Sequence, residues 1–161
     1  MESKSSEINN YLTFSSEAEL SKEERALLQA AKNASKNSYS PYSGFQVGAA
    51  IRLSNGKIVE GSNQENAAYP SGLCAERVAL FHASSNYNGE KITQITVAAK
   101  REDEEVYLPV TPCGGCRQVM LEFENKQASP IEVILRTGEN TWIKTSSAKL
   151  LLPFSFDKNS L

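Results

Sequence analysis

Three cysteines, Cys74, Cys113 and Cys116, are the entire thiol complement of this 161-residue chain. An odd number of thiols leaves one unpaired in any disulfide framework, and three residues cannot staple a chain this long. The fold must therefore rest on a hydrophobic core, with the thiols free for other work. Composition supports that: 40% of the residues are apolar and 22% charged, within the range of a single globular domain. The pattern to explain is why Cys74 and Cys113-Gly-Gly-Cys116 each stand where a helix is about to begin.

The helix and strand signals are distinct. Ser21-Lys-Glu-Glu24 fits a capping box. Leu27, Leu28, Ala31 and Ala34 share one face after it, predicting a helix over about 22–37. Ser40-Pro41-Tyr42-Ser43-Gly44 breaks that helix. Two apolar runs, Val47 to Leu53 and Lys57 to Gly61, flank Ser54-Asn55-Gly56, a hairpin signal. A second helix is expected over about 74–85, with Ala75, Val78, Ala79 and His82 inward. Ile92 to Ala99 reads as a strand. Pro112 falls in the first turn of a third helix, with Val119, Met120 and Phe123 inward. Ile131 to Arg136 and Thr141 to Lys144 add two strands, and Ala148 to Leu152 a short helix or turn. Strands alternating with helices predict an α/β fold, a three-layer α/β/α sandwich around a mixed five-stranded sheet. Residues 1–20 read as a partly ordered N-terminal extension, and 21–161 as one domain.

Charge narrows the function classes. The net charge of −2 argues against a protein built to grip polynucleotide phosphates. No apolar run approaches the ~20 residues of a membrane span, and Met1 to Asn10 lacks the apolar core of a signal peptide. A soluble, cytoplasmic protein is expected.

Two thiolates three residues apart at a helix start can converge on one metal, where the helix dipole and free N–H groups favour their ionised form. If a second helix start brings Cys74 to the same point, three sulfurs hold one ion and a coordination position stays open, the mark of a catalytic zinc. Two rivals stand beside this reading. A thioredoxin-like redox pair leaves Cys74 unexplained. A structural zinc closed by His82 requires a ligand about two turns, ~12 Å, from Cys74 along a helix; His82 reads instead as a packed core residue. Glu76 favours catalysis, because a carboxylate two residues past a ligand can reach the open position and move protons there. Taken singly, it is also what the dipole favours in any first turn.

Cys74-Ala-Glu76-Arg77 with Pro112-Cys113-Gly-Gly-Cys116-Arg117-Gln118 resembles the zinc-dependent cytidine deaminases of the short-chain, homotetrameric type. The resemblance extends to Ser40-Pro-Tyr-Ser-Gly-Phe45-Gln-Val-Gly-Ala-Ala50, to Gly61-Ser-Asn63-Gln-Glu65-Asn-Ala-Ala-Tyr69-Pro70 and to Leu151-Leu-Pro-Phe154-Ser-Phe156, so it spans roughly 22–157. It implies one zinc per subunit on Cys74, Cys113 and Cys116, which activates water for attack at C4 of cytosine, with Glu76 as proton shuttle. It further implies that Phe45 packs on the base, Ala75 N–H and the Thr111 carbonyl bind its polar edge, and Asn63 and Glu65 hold the ribose 3′-hydroxyl. Phe156 is expected to enter a neighbouring subunit's site, with Phe154 as the competing candidate. Arg77 is expected to hydrogen-bond the ligand sulfurs, and Gln118 to support the site. The implied reaction is deamination of cytidine and 2′-deoxycytidine in pyrimidine salvage, with a small nucleoside, and neither a polynucleotide nor a membrane, as partner. Two alternatives remain: a deaminase of a related nucleoside such as blasticidin S, and a non-catalytic zinc-stabilised interaction protein. Gln46 stands where the family often has proline, and Ser71 where it has an apolar residue.

Overall fold

The computed structural model describes residues 11–161. The first helix, α1 (Lys22–Ser35), starts as the sequence dictates: Ser21 Oγ accepts from Glu24 N at 3.2 Å while Glu24 Oε2 accepts from Ser21 N at 2.8 Å. The hairpin strands are β2 (Phe45–Leu53) and β3 (Ile58–Ser62), joined through Gly56 at φ 85°. Then come α2 (Ala75–Asn86), β4 (Ile92–Arg101), α3 (Gly114–Gln127), β5 (Glu132–Gly138) and β6 (Thr141–Thr145).

The sheet has six strands among the described residues, where five were expected. The extra strand, β1 (Tyr11–Phe14), belongs to the segment read as an extension. It pairs antiparallel with β6, Tyr11 opposite Thr145 and Phe14 opposite Trp142. Four residues are too few for an alternation to stand out from polar surroundings. The strand is held instead by its ladder and by packing of Phe14 against the cluster containing Leu20 and Trp142. Residues 1–10 of the expected extension lie outside the described residues. The strand order is β1-β6-β5-β4-β2-β3, with β4 and β5 parallel and every other pair antiparallel.

Alternation along the strands builds two cores. Ala49, Ile51, Ile95, Val97, Val133 and Leu135 meet α2 and α3 on one face. Ala50, Ala98, Ile134 and Trp142 meet Leu27, Leu28 and Ala31 of α1 on the other. The three layers are as expected. Two glycines bring the helices close: a Cβ on Gly48 would collide with the backbone of Ala31 and Ser35, and one on Gly61 would lie 2.5 Å from Ala79 N and 2.6 Å from Ala75 O.

Helix α2 is rotated relative to the expected face. Its buried residues are Ala75, Glu76, Ala79, Leu80 and Ala83, one position round from the expected face. His82, expected in the core, is therefore exposed, its ring 6.1 Å from that of Tyr87. The expected start of the third helix also moves. Cys113 is its N-cap, so Pro112 precedes the helix and is not in its first turn.

Candidate active site

Cys74 is the N-cap of α2 and Cys113 the N-cap of α3, both with extended backbone and neither making a side-chain capping bond. Cys116 is the third residue of α3. An N-cap side chain and the one three residues on meet over a helix end, and the Cys-Gly-Gly-Cys register uses that geometry to bring two sulfurs together. β4 connects α2 to α3 and pairs parallel with β5, and α2 and α3 lie on the same face of the sheet. The sulfurs of Cys74, Cys113 and Cys116 consequently lie within 4.8 Å of one another, Cys74 and Cys113 at 3.9 Å. The S–S edge of a tetrahedral zinc site with ~2.3 Å bonds is about 3.8 Å. The donor set fits zinc in chemistry and spacing.

The thiols are electrostatically uneven. The neighbouring Cys116 thiol lowers the Cys74 thiol to about 5, against burial, with Arg77 and Cys113 adding to the effect. Cys116, beside Cys74 and fully buried, is pushed up. Arg77 donates to Cys74 Sγ at 3.8 Å, and this contact raises its own pKa. Arg77 Nε is buried with no hydrogen-bond partner among the described residues, and the contact of Nη2 holds the guanidinium at the Cys74 sulfur. Glu76 is 4% exposed. Burial raises its carboxyl and the Cys74 thiolate adds to that, while its own backbone N–H and Cys116 act in the opposite direction.

These groups close one end of a cleft of ≈ 660 Å³. Phe45, Asn63, Glu65, Thr111, Cys74, Cys113, Glu76 and Arg77 all line it. Ala75 is fully buried and is not among the residues lining the cleft; its backbone N–H, in the first helical turn, has no carbonyl within α2 to meet. Asn63 and Glu65 follow the end of β3 and share the cleft although they do not share a strand. Asn63 Oδ1 accepts from Val47 N at 2.9 Å and from Ser38 Oγ, and Nδ2 donates to Phe45 O at 2.9 Å. Glu65 Oε2 accepts from Tyr42 N at 2.9 Å, and Oε1 from Ser43 Oγ at 2.5 Å. Ser38 and Ser43 were not singled out from sequence; a serine next to a helix break carries no signal of its partner 22 or more residues away.

The tail residues lie elsewhere. Phe154 is fully exposed and Phe156 is 58% exposed, and neither lines this chain's cleft. The Gln118 amide donates to the Phe156 carbonyl at 2.8 Å, so its contact is with the tail and not with a sulfur. Arg117 donates to Pro112 O at 2.9 Å and to Leu151 O at 3.2 Å, tying the start of α3 to the same tail.

Comparison with known proteins agrees with this chemistry. Residues 21–129 match the family model described as the cytidine and deoxycytidylate deaminase zinc-binding region. A cytidine deaminase from Sporosarcina psychrophila is 38% identical over 135 residues, 84% of this chain and 92% of that protein. A probable cytidine deaminase from Dictyostelium discoideum is 38% identical over 83% of this chain and 84% of its own length. The crystal structure of cytidine deaminase from Burkholderia pseudomallei superposes with a TM-score of 0.67 at 40% identity, covering 81% of this chain and 97% of that one.

Proposed function

The chain belongs to the cytidine and deoxycytidylate deaminase family, and from that membership and the chemistry of its cleft we infer that it hydrolyses cytidine and 2′-deoxycytidine to uridine and 2′-deoxyuridine with release of ammonia, a step of pyrimidine salvage. The observation that carries the reading is a buried carboxyl, Glu76, in a cleft with Cys74 and Cys113, two members of a three-sulfur cluster that Cys116 completes beneath it. Cys74, Cys113 and Cys116 hold one zinc per subunit; bound there, the ion supplies Lewis acidity that makes water a nucleophile at neutral pH.

The chain's own groups carry the protons. Glu76 takes one from the attacking water and delivers it to ring N3, which makes C4 more electrophilic. It then passes the second proton to the departing amine, so one water enters, one ammonia leaves and the carboxylate is regenerated. Arg77 draws charge from Cys74, which matters because three thiolates outweigh a divalent ion. Thr111 O accepts from the 4-amino group, Ala75 N–H binds the base O2, and Phe45 packs on the ring. The amide hydrogen left on Asn63 and the Glu65 carboxylate hold the ribose 3′-hydroxyl. Among the described residues lining the cleft none is a lysine, and its arginine is engaged with sulfur. This favours a free nucleoside over a 5′-phosphate.

The exposed rings of Phe154 and Phe156 suit a homotetramer in which Phe156 completes a neighbouring site. Free thiols suit a reducing compartment, the cytoplasm; no helix among the described residues is long and apolar enough to cross a membrane. The test is Glu76→Gln. Zinc content and melting temperature stay near those of the parent, while cytidine turnover falls by about 10²–10⁴-fold. Ammonia release at the parental rate refutes the assignment.

A further inference from the structure

We propose that Ser43 is a positioning residue that locks the sugar-facing carboxylate of Glu65 to the backbone carrying the base-facing ring of Phe45. The inference rests on the reading of Glu65 as acceptor of the 3′-hydroxyl. Ser43 Oγ lies 2.5 Å from Glu65 Oε1 and 3.0 Å from Phe45 N. A backbone N–H can only donate, so Phe45 N gives its hydrogen to Ser43, and the single hydroxyl proton of Ser43 goes to Glu65. The result is a directed chain from Phe45 N–H through the hydroxyl to the carboxylate, each bond polarising the next.

The backbone is shaped for this chain. Gly44 sits at φ 61° with its N–H on Ser40 O at 2.9 Å; a left-handed residue there folds Phe45 N back over the Ser43 side chain. Ser43 N adds a longer bond, 3.3 Å, to Glu65 Oε2, and Tyr42 N a shorter one, 2.9 Å, to the same atom. Two donors on Oε2 and one on Oε1 stop the carboxylate from turning and leave an acceptor position on Oε1 for a ligand hydroxyl. The Ser43 hydroxyl is also the first of the groups that hold the Glu65 carboxyl below the usual carboxylate range, which keeps the acceptor charged. Without Ser43, Glu65 retains its backbone donors but loses its fixed torsion, and the loop loses its tie to the Phe45 backbone. Affinity for a substrate bearing the 3′-hydroxyl should fall, with proton transfer at Glu76 untouched.

Steady-state kinetics of the zinc-loaded parent, Ser43→Ala and Ser43→Thr on cytidine and on 3′-deoxycytidine test this, with zinc content and melting temperature measured alongside. The parent prefers cytidine. Ser43→Ala raises KM for cytidine roughly tenfold or more, with kcat within about twofold of the parent, and raises KM for 3′-deoxycytidine by a smaller factor, because that substrate uses only the Phe45 side of the lock. Ser43→Thr restores the cytidine KM. A parent that treats the two nucleosides alike overturns the reading of Glu65 and the proposal with it. A discriminating parent whose Ser43→Ala variant shows no KM change, the same loss on both nucleosides, or a loss in kcat alone overturns the proposal and leaves the reading of Glu65 intact.

Discussion

Gly61→Ala links the packing of the sheet to the metal site. The new methyl carbon would lie 2.5 Å from Ala79 N and 2.6 Å from Ala75 O, backbone atoms that no rotamer change can move. Restoring an ordinary contact of about 3.4 Å displaces the first turns of α2 by about 0.9 Å, an overpacking that costs about 1–3 kcal/mol. For a chain of this length that is a fall of roughly 2–12 °C in melting temperature. The displaced turns carry Cys74 and Glu76, whereas Cys113 and Cys116 ride on α3 and stay behind. A misplacement of this size costs about 10²-fold in turnover, and zinc affinity falls about 10–100-fold, as when support for a ligand is lost. Gly48→Ala is the control. It forces a still tighter collision on the opposite face, against Ala31 and Ser35 of α1, and it should destabilise at least as much without loosening the metal. Thermal melts, zinc competition with a chelator and cytidine turnover measure all three quantities. If Gly61→Ala holds zinc as tightly as Gly48→Ala at matched stability, the coupling between the β3–α2 contact and the sulfur cluster is refuted.

Acid stability should depend on Glu24. Burial alone would raise its carboxyl, but the Lys144 ammonium at 2.8 Å and Ser21 outweigh burial and the net shift is downward. A carboxyl lowered on folding stabilises the native state above its unfolded value, and that stability is lost as pH falls through the folded one. Glu24→Gln keeps an acceptor for Ser21 N–H, so it should cost about 1.5–3 kcal/mol at neutral pH and flatten the decline on the acid side. Denaturant melts at graded pH would contradict this if the two proteins lost stability in parallel below the unfolded carboxyl value. Exchange between subunits offers a separate check on Phe156: Phe156→Ala raises KM, and mixing it with inactive Glu76→Gln subunits recovers activity above either parent. Light scattering that finds a fully active monomer, or mixtures without recovery, would rule out a shared site.

The capping box at Ser21 and Glu24, the hairpin at Asn55-Gly56 and the helix start at Cys74 were legible in the sequence because each is decided within a few residues. A serine oxygen meeting an N–H three positions on, or a glycine relieving a positive φ, needs no information from elsewhere in the chain. The cysteine triad was legible for a related reason: residue type and helix-start position together restrict what three thiols can do. Other features depended on distance in the fold. β1 exists because β6 has an edge to pair with. His82 is exposed because the sheet buries Glu76, Leu80 and Ala83 beside Ala75 and Ala79, which turns the Val78–His82 side of α2 outward. Ser43 acquired a role when Glu65 came within 2.5 Å of its hydroxyl. Local hydrogen bonding and side-chain chemistry are written along the chain. The rotation of a helix on its sheet, and the partner a loop hydroxyl finds, are set by close packing between segments far apart in it.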